Sequence, residues 1–154
     1  MDLPVQIRLG TRQDEDTIHS LCSDVMHEFG LDFDLEQADV DLRNIESNYF
    51  AHDGLFLIAE RNGEIVGFAA ARKAAWGDDL ELVRFVVERS WRGKQIGHEL
   101  LTTIVSYARE MDYSRIVVEP VRQYPGGQQA LMSMGFTSEA CEDAQQAWYL
   151  SLAD

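Results

Sequence analysis

No apolar run in the sequence is long enough to span a bilayer, and no basic segment leads into an apolar one near the N-terminus. Neither a membrane helix nor a secretion signal is therefore expected. Cysteine is scarce. Cys22 and Cys141 lie far apart with no C-x-x-C pattern, which suits a reduced, cytoplasmic protein with two ordinary thiols. The four histidines (His19, His27, His52 and His98) fall at no metal-ligand spacing, so no metal is assigned. Neither G-x-x-x-x-G-K-[ST] nor G-x-G-x-x-G occurs, which argues against the common nucleotide-phosphate loops. Positive charge is also short, with 13 Lys and Arg against 27 Asp and Glu. A net charge of −14 excludes the basic footprint that nucleic acid or an anionic membrane would need.

What is present suits one soluble domain over residues 1–154, with 45% hydrophobic and 26% charged residues. The acidity is uneven. Asp14 to Asp53 holds twelve acids and one base, Arg43. This is either a solvated face or one wall of a site for a cationic ligand.

In chain order, Val5 to Leu9 reads as a strand. Thr11 and Asp14 form an N-cap signal for a helix whose stripe is Ile18, Leu21, Cys22, Val25 and Phe29, ending near Gly30. Leu42, Ile45 and Tyr49 mark a second helix that stops before Asp53-Gly54. Leu55–Glu60 and Glu64–Ala74 flank Asn62-Gly63, which predicts a hairpin with a type I′ turn. Arg115–Glu119 is a short strand, Gln128–Met134 a short helix and Gln146–Leu152 a last strand. The order predicts an α/β fold with a mixed sheet.

The central stretch is Glu81 to Met111. Leu82–Val87 is a buried strand by composition, and Ile96, Leu100, Leu101, Ile104, Val105, Ala108 and Met111 fall at helical spacing. A strand that turns through a cationic loop into a helix gathers unpaired amides, the positive end of the helix dipole and, here, Arg92 and Lys94 at one point. That is a phosphate cradle. Gly97 removes a Cβ where a phosphate would approach the backbone.

The run R-G-K-Q-I-G at 92–97 resembles the pyrophosphate loop Q/R-x-x-G-x-G/A of the GNAT superfamily of acyl-CoA-dependent N-acetyltransferases. Arg92 and Gly97 match its ends, Gln95 replaces its middle glycine, F-V-V-E-R-S-W precedes it and Met134-Gly135-Phe136 gives a second match. The resemblance implies a mixed, mostly antiparallel sheet flanked by helices, with a splayed central strand pair. It implies acetyl-CoA as co-substrate, held by Phe85, Val86, Val87, Arg92, Gly93, Lys94, Gln95, Ile96, Gly97 and His98. Backbone amides at Phe85, Val86 and Val87 would bond pantetheine and polarise the acyl carbonyl.

An amine of pKa roughly 10.4 needs a base near neutrality. Glu81 and Glu119 stand where two GNAT branches carry one, and each is otherwise a surface carboxylate near a strand end. The family's usual acid, a tyrosine four residues before Gly-Phe, is Leu131 here, with Tyr124 as the substitute or a packing aromatic. The expected partner is a small-molecule or peptide amine, cationic if the acidic segment forms one wall of the site. A homodimer is left open. Gln95 and Leu131 also support a competing reading, a catalytically weak acyl-CoA-binding or regulatory module of the same fold.

Overall fold

Asn62 and Gly63 both take left-handed backbone, with φ of 53° and 79°, and so make the tight turn that their sequence predicts. In a computed structural model, which describes residues 5–118, 127–140 and 146–152, this turn joins β2 (Leu55–Arg61) to β3 (Glu64–Lys73). Around that hairpin the remaining strands are β1 (Gln6–Leu9), β4 (Asp79–Val87), β5 (Arg115–Val118), β6 (Thr137–Ala140) and β7 (Gln146–Ser151). The sheet order is β1-β2-β3-β4-β5-β7-β6, and only β4 and β5 run parallel. The mixed, mostly antiparallel sheet is the expected one, except that β6 was not foreseen. Its Thr-Ser-Glu-Ala sequence lacks the β-branched or aromatic alternation that marks a strand.

One face of the sheet packs under α3 (Ile96–Glu110) and α4 (Gln128–Ser133), with Leu82, Phe85, Leu100, Ile104, Ile116 and Leu131 buried between them. The other face packs under α1 (Glu15–Glu28) and the short α2 (Ile45–Asn48), where Ile18, Cys22, Ile45, Tyr49, Phe56 and Phe68 are buried. Thr11 and Asp14 do start the first helix region. The Thr11 N–H donates to the Asp14 carboxylate at 2.9 Å, and a short 3-10 turn leads into α1.

The second predicted helix is broken. Asn44 leaves helical backbone at φ −154°, and its side chain accepts from the Ser47 N–H, so a 3-10 turn (Val40–Arg43), α2 and a second 3-10 turn (Phe50–His52) replace one continuous helix. Leu42, Ile45 and Tyr49 are nevertheless all fully buried. Among the described residues no helix is long and apolar enough to cross a membrane.

β4 carries one irregularity that decides the site. Ala70 pairs with Arg84 and Ala71 with Leu82, which leaves Val83 as an extra residue. Before it, Leu80 and Leu82 face α3; after it, Phe85 and Val87 do. Val83 and Arg84 therefore point to the same face, that of α1.

Candidate active site

β4 leaves the sheet at Val87, makes a 3-10 turn (Arg89–Trp91) and enters α3. The Glu88 carboxylate accepts from the Ser90 N–H at 3.0 Å and ties the turn down. Gly93 and Gln95 then both take left-handed backbone, with φ of 77° and 67°. The first bond of α3 runs from the Glu99 N–H to the Gln95 carbonyl at 3.0 Å, so the amides of Ile96, Gly97 and His98 face out of the helix start. Such a helix start, preceded by alternating left-handed residues, is an anion-binding concavity.

A cleft of about 520 Å³ opens at this point. Phe85 and Val87 of β4 form its floor, Trp91 to His98 without Lys94 one wall, and Gly127, Gln129, Ala130 and Ser133 the other. Eight of the ten residues expected to hold the co-substrate thus come together. Val86 points to the α1 face, and Lys94 extends from the loop with its Nζ 5.0 Å from the Trp91 ring, which also lies under the Arg61 guanidinium at 4.7 Å.

Two residues in the loop differ from expectation. A Cβ on Gly97 would come within 2.8 Å of Phe85 Cζ and 3.4 Å of Ala130 Cβ. Gly97 is therefore required by helix–strand packing, whereas the sequence reading assigned it to phosphate clearance. Arg92 was expected to point its charge at the phosphate site. Instead its Nε donates to the Val87 carbonyl at 3.1 Å and its two terminal nitrogens to the Glu28 carboxylate, the second at 3.0 Å, while the guanidinium lies 5.3 Å from the Phe29 ring. The side chain fastens the loop to the end of α1.

On the opposite sheet face lies a charged cluster that the sequence reading missed. Arg84 is 1% exposed and donates to Asp39 at 2.8 Å and to both oxygens of Asp41, at 2.6 and 3.1 Å. The Tyr49 hydroxyl also donates to Asp41. Burial pushes the Tyr49 phenol well above its ordinary pKa, and the Asp41 charge adds to the shift. Burial opposes the Arg84 charge, yet hydrogen bonds and charge from Asp41 hold its pKa above the ordinary arginine range. A signal was available: Arg84 interrupts the apolar run L-V-R-F-V-V, and a charge inside a buried strand requires buried partners.

The sequence model of the "Acetyltransferase (GNAT) family" matches residues 18–136. This chain belongs to the GNAT family. Among curated relatives of the same kind, it is 27% identical over 114 residues to rat N-acetyltransferase 8F1, covering 71% of this chain and 52% of the relative. It is 26% identical over 125 residues to an uncharacterised N-acetyltransferase of Schizosaccharomyces pombe, covering 80% and 77%. The chain thus spans about half the length of the rat relative. In fold it is similar to a GNAT acetyltransferase from Staphylococcus aureus Mu50, with a TM-score of 0.86 at 21% identity, covering 97% of this chain and 100% of the other. It is also similar to the PaiA N-acetyltransferase of Thermoplasma acidophilum, solved with coenzyme A, at TM-score 0.75 and 17% identity, covering 97% and 99%.

Within this GNAT chain Glu81 is half-buried on β4, opposite Arg72 of β3 and beside Val117 of β5. The described β4–β5 register ends at Leu82–Val118, and Val83–Val87 run on past it. Glu119 and Tyr124 lie outside the described residues. Leu131, at the position of the family's usual tyrosine, is 1% exposed on α4 and belongs to the core.

Proposed function

We propose that this GNAT chain, acting as one domain over residues 1–154, transfers an acyl group, acetyl in the first instance, from coenzyme A to a primary amine. The observation that carries the reading is the cleft, which starts at the outward amides of α3 and runs along Phe85 and Val87. Those amides and Lys94 would hold the diphosphate, and the walls of Phe85 and Val87 would receive the thioester arm. The thioester supplies the acyl group. The backbone amides of Phe85 and Val87, which face away from β3 where that of Val86 does not, would polarise its carbonyl, and Glu81 or Glu119 would take the proton of the amine. A thiol of pKa about 8.5 leaves tolerably as thiolate, so a buried Leu131 does not forbid transfer.

Calorimetry with coenzyme A and acetyl transfer to a broad amine panel test this reading together. Absence of coenzyme A binding overturns it. Binding without transfer to any amine favours the second reading, a weakly catalytic acyl-CoA-binding module, which the buried Leu131 supports. Glu81→Gln and Glu119→Gln, compared under identical conditions, assign the base. The variant that lowers kcat/KM most at low pH, and recovers as free amine accumulates, has lost it.

The acidic segment supports a cationic acceptor less than its charge count implies. Asp14, Glu15, Glu28, Asp39 and Asp41 are all matched by arginines: Arg8, Arg12, Arg92 and, for the last two, Arg84. A reducing, cytoplasmic setting is proposed on the buried Cys22 thiol.

A further inference from the structure

Two arginines lie on the α1 face of the sheet, one on each side of the Val83 bulge, and the protein gives them different partners. Arg84 has two carboxylates supplied by the protein, Asp39 and Asp41. Arg72 is half-buried, and among the described residues no carboxylate forms an ion pair with it. Its guanidinium rests 5.6 Å from the centre of the Tyr49 ring, which is itself fixed because the Tyr49 hydroxyl bonds to Asp41. That contact holds a planar, permanently charged group against the ring. Directly across the strand pair from Arg72 stands Glu81. Residues opposed in this way share a face, with Cβ atoms about 5 Å apart.

From this we infer that Arg72 is the acceptor's carboxylate site and that the acceptor is a small α-amino acid, with its amine toward Glu81 and its carboxylate on Arg72. The inference rests on the proposed transfer to an amine beside Glu81. The geometry suits the ligand because the amine and carboxylate of an α-amino acid are separated by a single carbon. Such a molecule offers opposite charges at the spacing of two side chains that share a face. A forked guanidinium binds a carboxylate through two parallel hydrogen bonds, which a methyl ester or an amide cannot reproduce. With its amine protonated the molecule is a zwitterion of zero net charge, so the unmatched acids of the neighbouring segment do not oppose its approach. A diamine has no group to satisfy Arg72 and brings a second cation against it.

The test titrates the protein, saturated with non-reactive coenzyme A, with a panel of free amino acids and their matching amides, and measures acetyl transfer to the same panel. At least one amino acid should bind ten times or more tighter than its amide. Arg72→Met should erase that difference by weakening the acid about 10- to 100-fold, leaving the amide and coenzyme A affinities unchanged. Arg72→Lys should restore part of it. Amides that bind wild-type protein as tightly as their acids overturn the assignment without need of any variant, as does a preference that survives Arg72→Met. A carboxylate preference lost in Arg72→Met, but with no transfer to any amine, supports the site and overturns the acyltransferase reading instead.

Discussion

Arg92 grips Glu28 with both terminal nitrogens of its guanidinium, so the first residue of the cofactor-loop motif is tied to the last residue of α1, 64 positions away. Both side chains are partly exposed. The pair therefore contributes little to stability, about 1 kcal/mol or less. Its larger effect is on ligand: a carboxylate already occupies the forked face of the arginine. Glu28→Gln should tighten coenzyme A binding several-fold and steepen its dependence on salt, measured by calorimetry at two ionic strengths. Unchanged or weaker binding would mean that the pair serves only to hold the loop.

Gln95 has left-handed backbone at φ 67°, where a side chain is strained and glycine is not. Gln95→Gly should stabilise the protein by about 1 kcal/mol, which raises Tm by roughly 2–4 °C for a chain of this size. A lower Tm would show that the Gln95 side chain makes a compensating contact.

Gly97→Ala places a methyl group 2.8 Å from Phe85 Cζ, and Phe85 is only 4% exposed. Overpacking of this kind costs about 1–3 kcal/mol. Because Phe85 also floors the cleft, urea unfolding and coenzyme A affinity should worsen together. Loss of binding with no loss of stability would return Gly97 to the role of phosphate clearance.

Arg84→Met leaves Asp39 and Asp41 buried without their cation, which costs about 3–5 kcal/mol. The triple variant Arg84→Met, Asp39→Asn, Asp41→Asn should recover much of that loss in a denaturant titration.

Hydrogen bonds from Arg8 hold the Asp14 carboxyl below its ordinary pKa of 3.8, and those from Arg115 do the same for Asp79, in both cases against burial. A depressed folded-state pKa contributes stability above the unfolded value and loses it as pH falls through the folded one. Tm should therefore decline below about pH 4, and Arg115→Met should remove part of that decline.

The hairpin, the first and third helices and the strand–loop–helix turn before Ile96 were legible because each is coded locally. Asn62-Gly63 sets a turn, Thr11 and Asp14 a helix start, and the Ile96–Ala108 stripe a buried face. The Arg84 cluster was not, because Asp39 and Asp41 lie more than forty positions from the residue they serve, in a segment whose charge reads as solvated. Helix α2 failed for a local reason with a non-local cause. Asn44 caps and breaks the backbone there, yet Leu42, Ile45 and Tyr49 still reach the core, so the stripe kept its period without one helix beneath it. Gly97 was identified as necessary but for the wrong neighbour, since Phe85 is twelve residues earlier on another element.

The extra residue at Val83 acts as a frame shift in which side of the sheet each side chain addresses. Pairing Val83 in regular register, with the irregularity lost and the residue kept, would restore strict alternation and exchange the two faces for the rest of the strand. Arg84 would be driven under α3, Phe85 would be presented to Asp39 and Asp41, and the cleft would inherit Val86 in place of its present floor. Substitution at this position should be tolerated wherever another small apolar side chain is supplied, and deletion of Val83 would leave Arg84, Phe85 and Val87 on their present faces. The irregularity is thus held in place by the Arg84 ion pairs on one face and by Phe85 packed under α3 on the other.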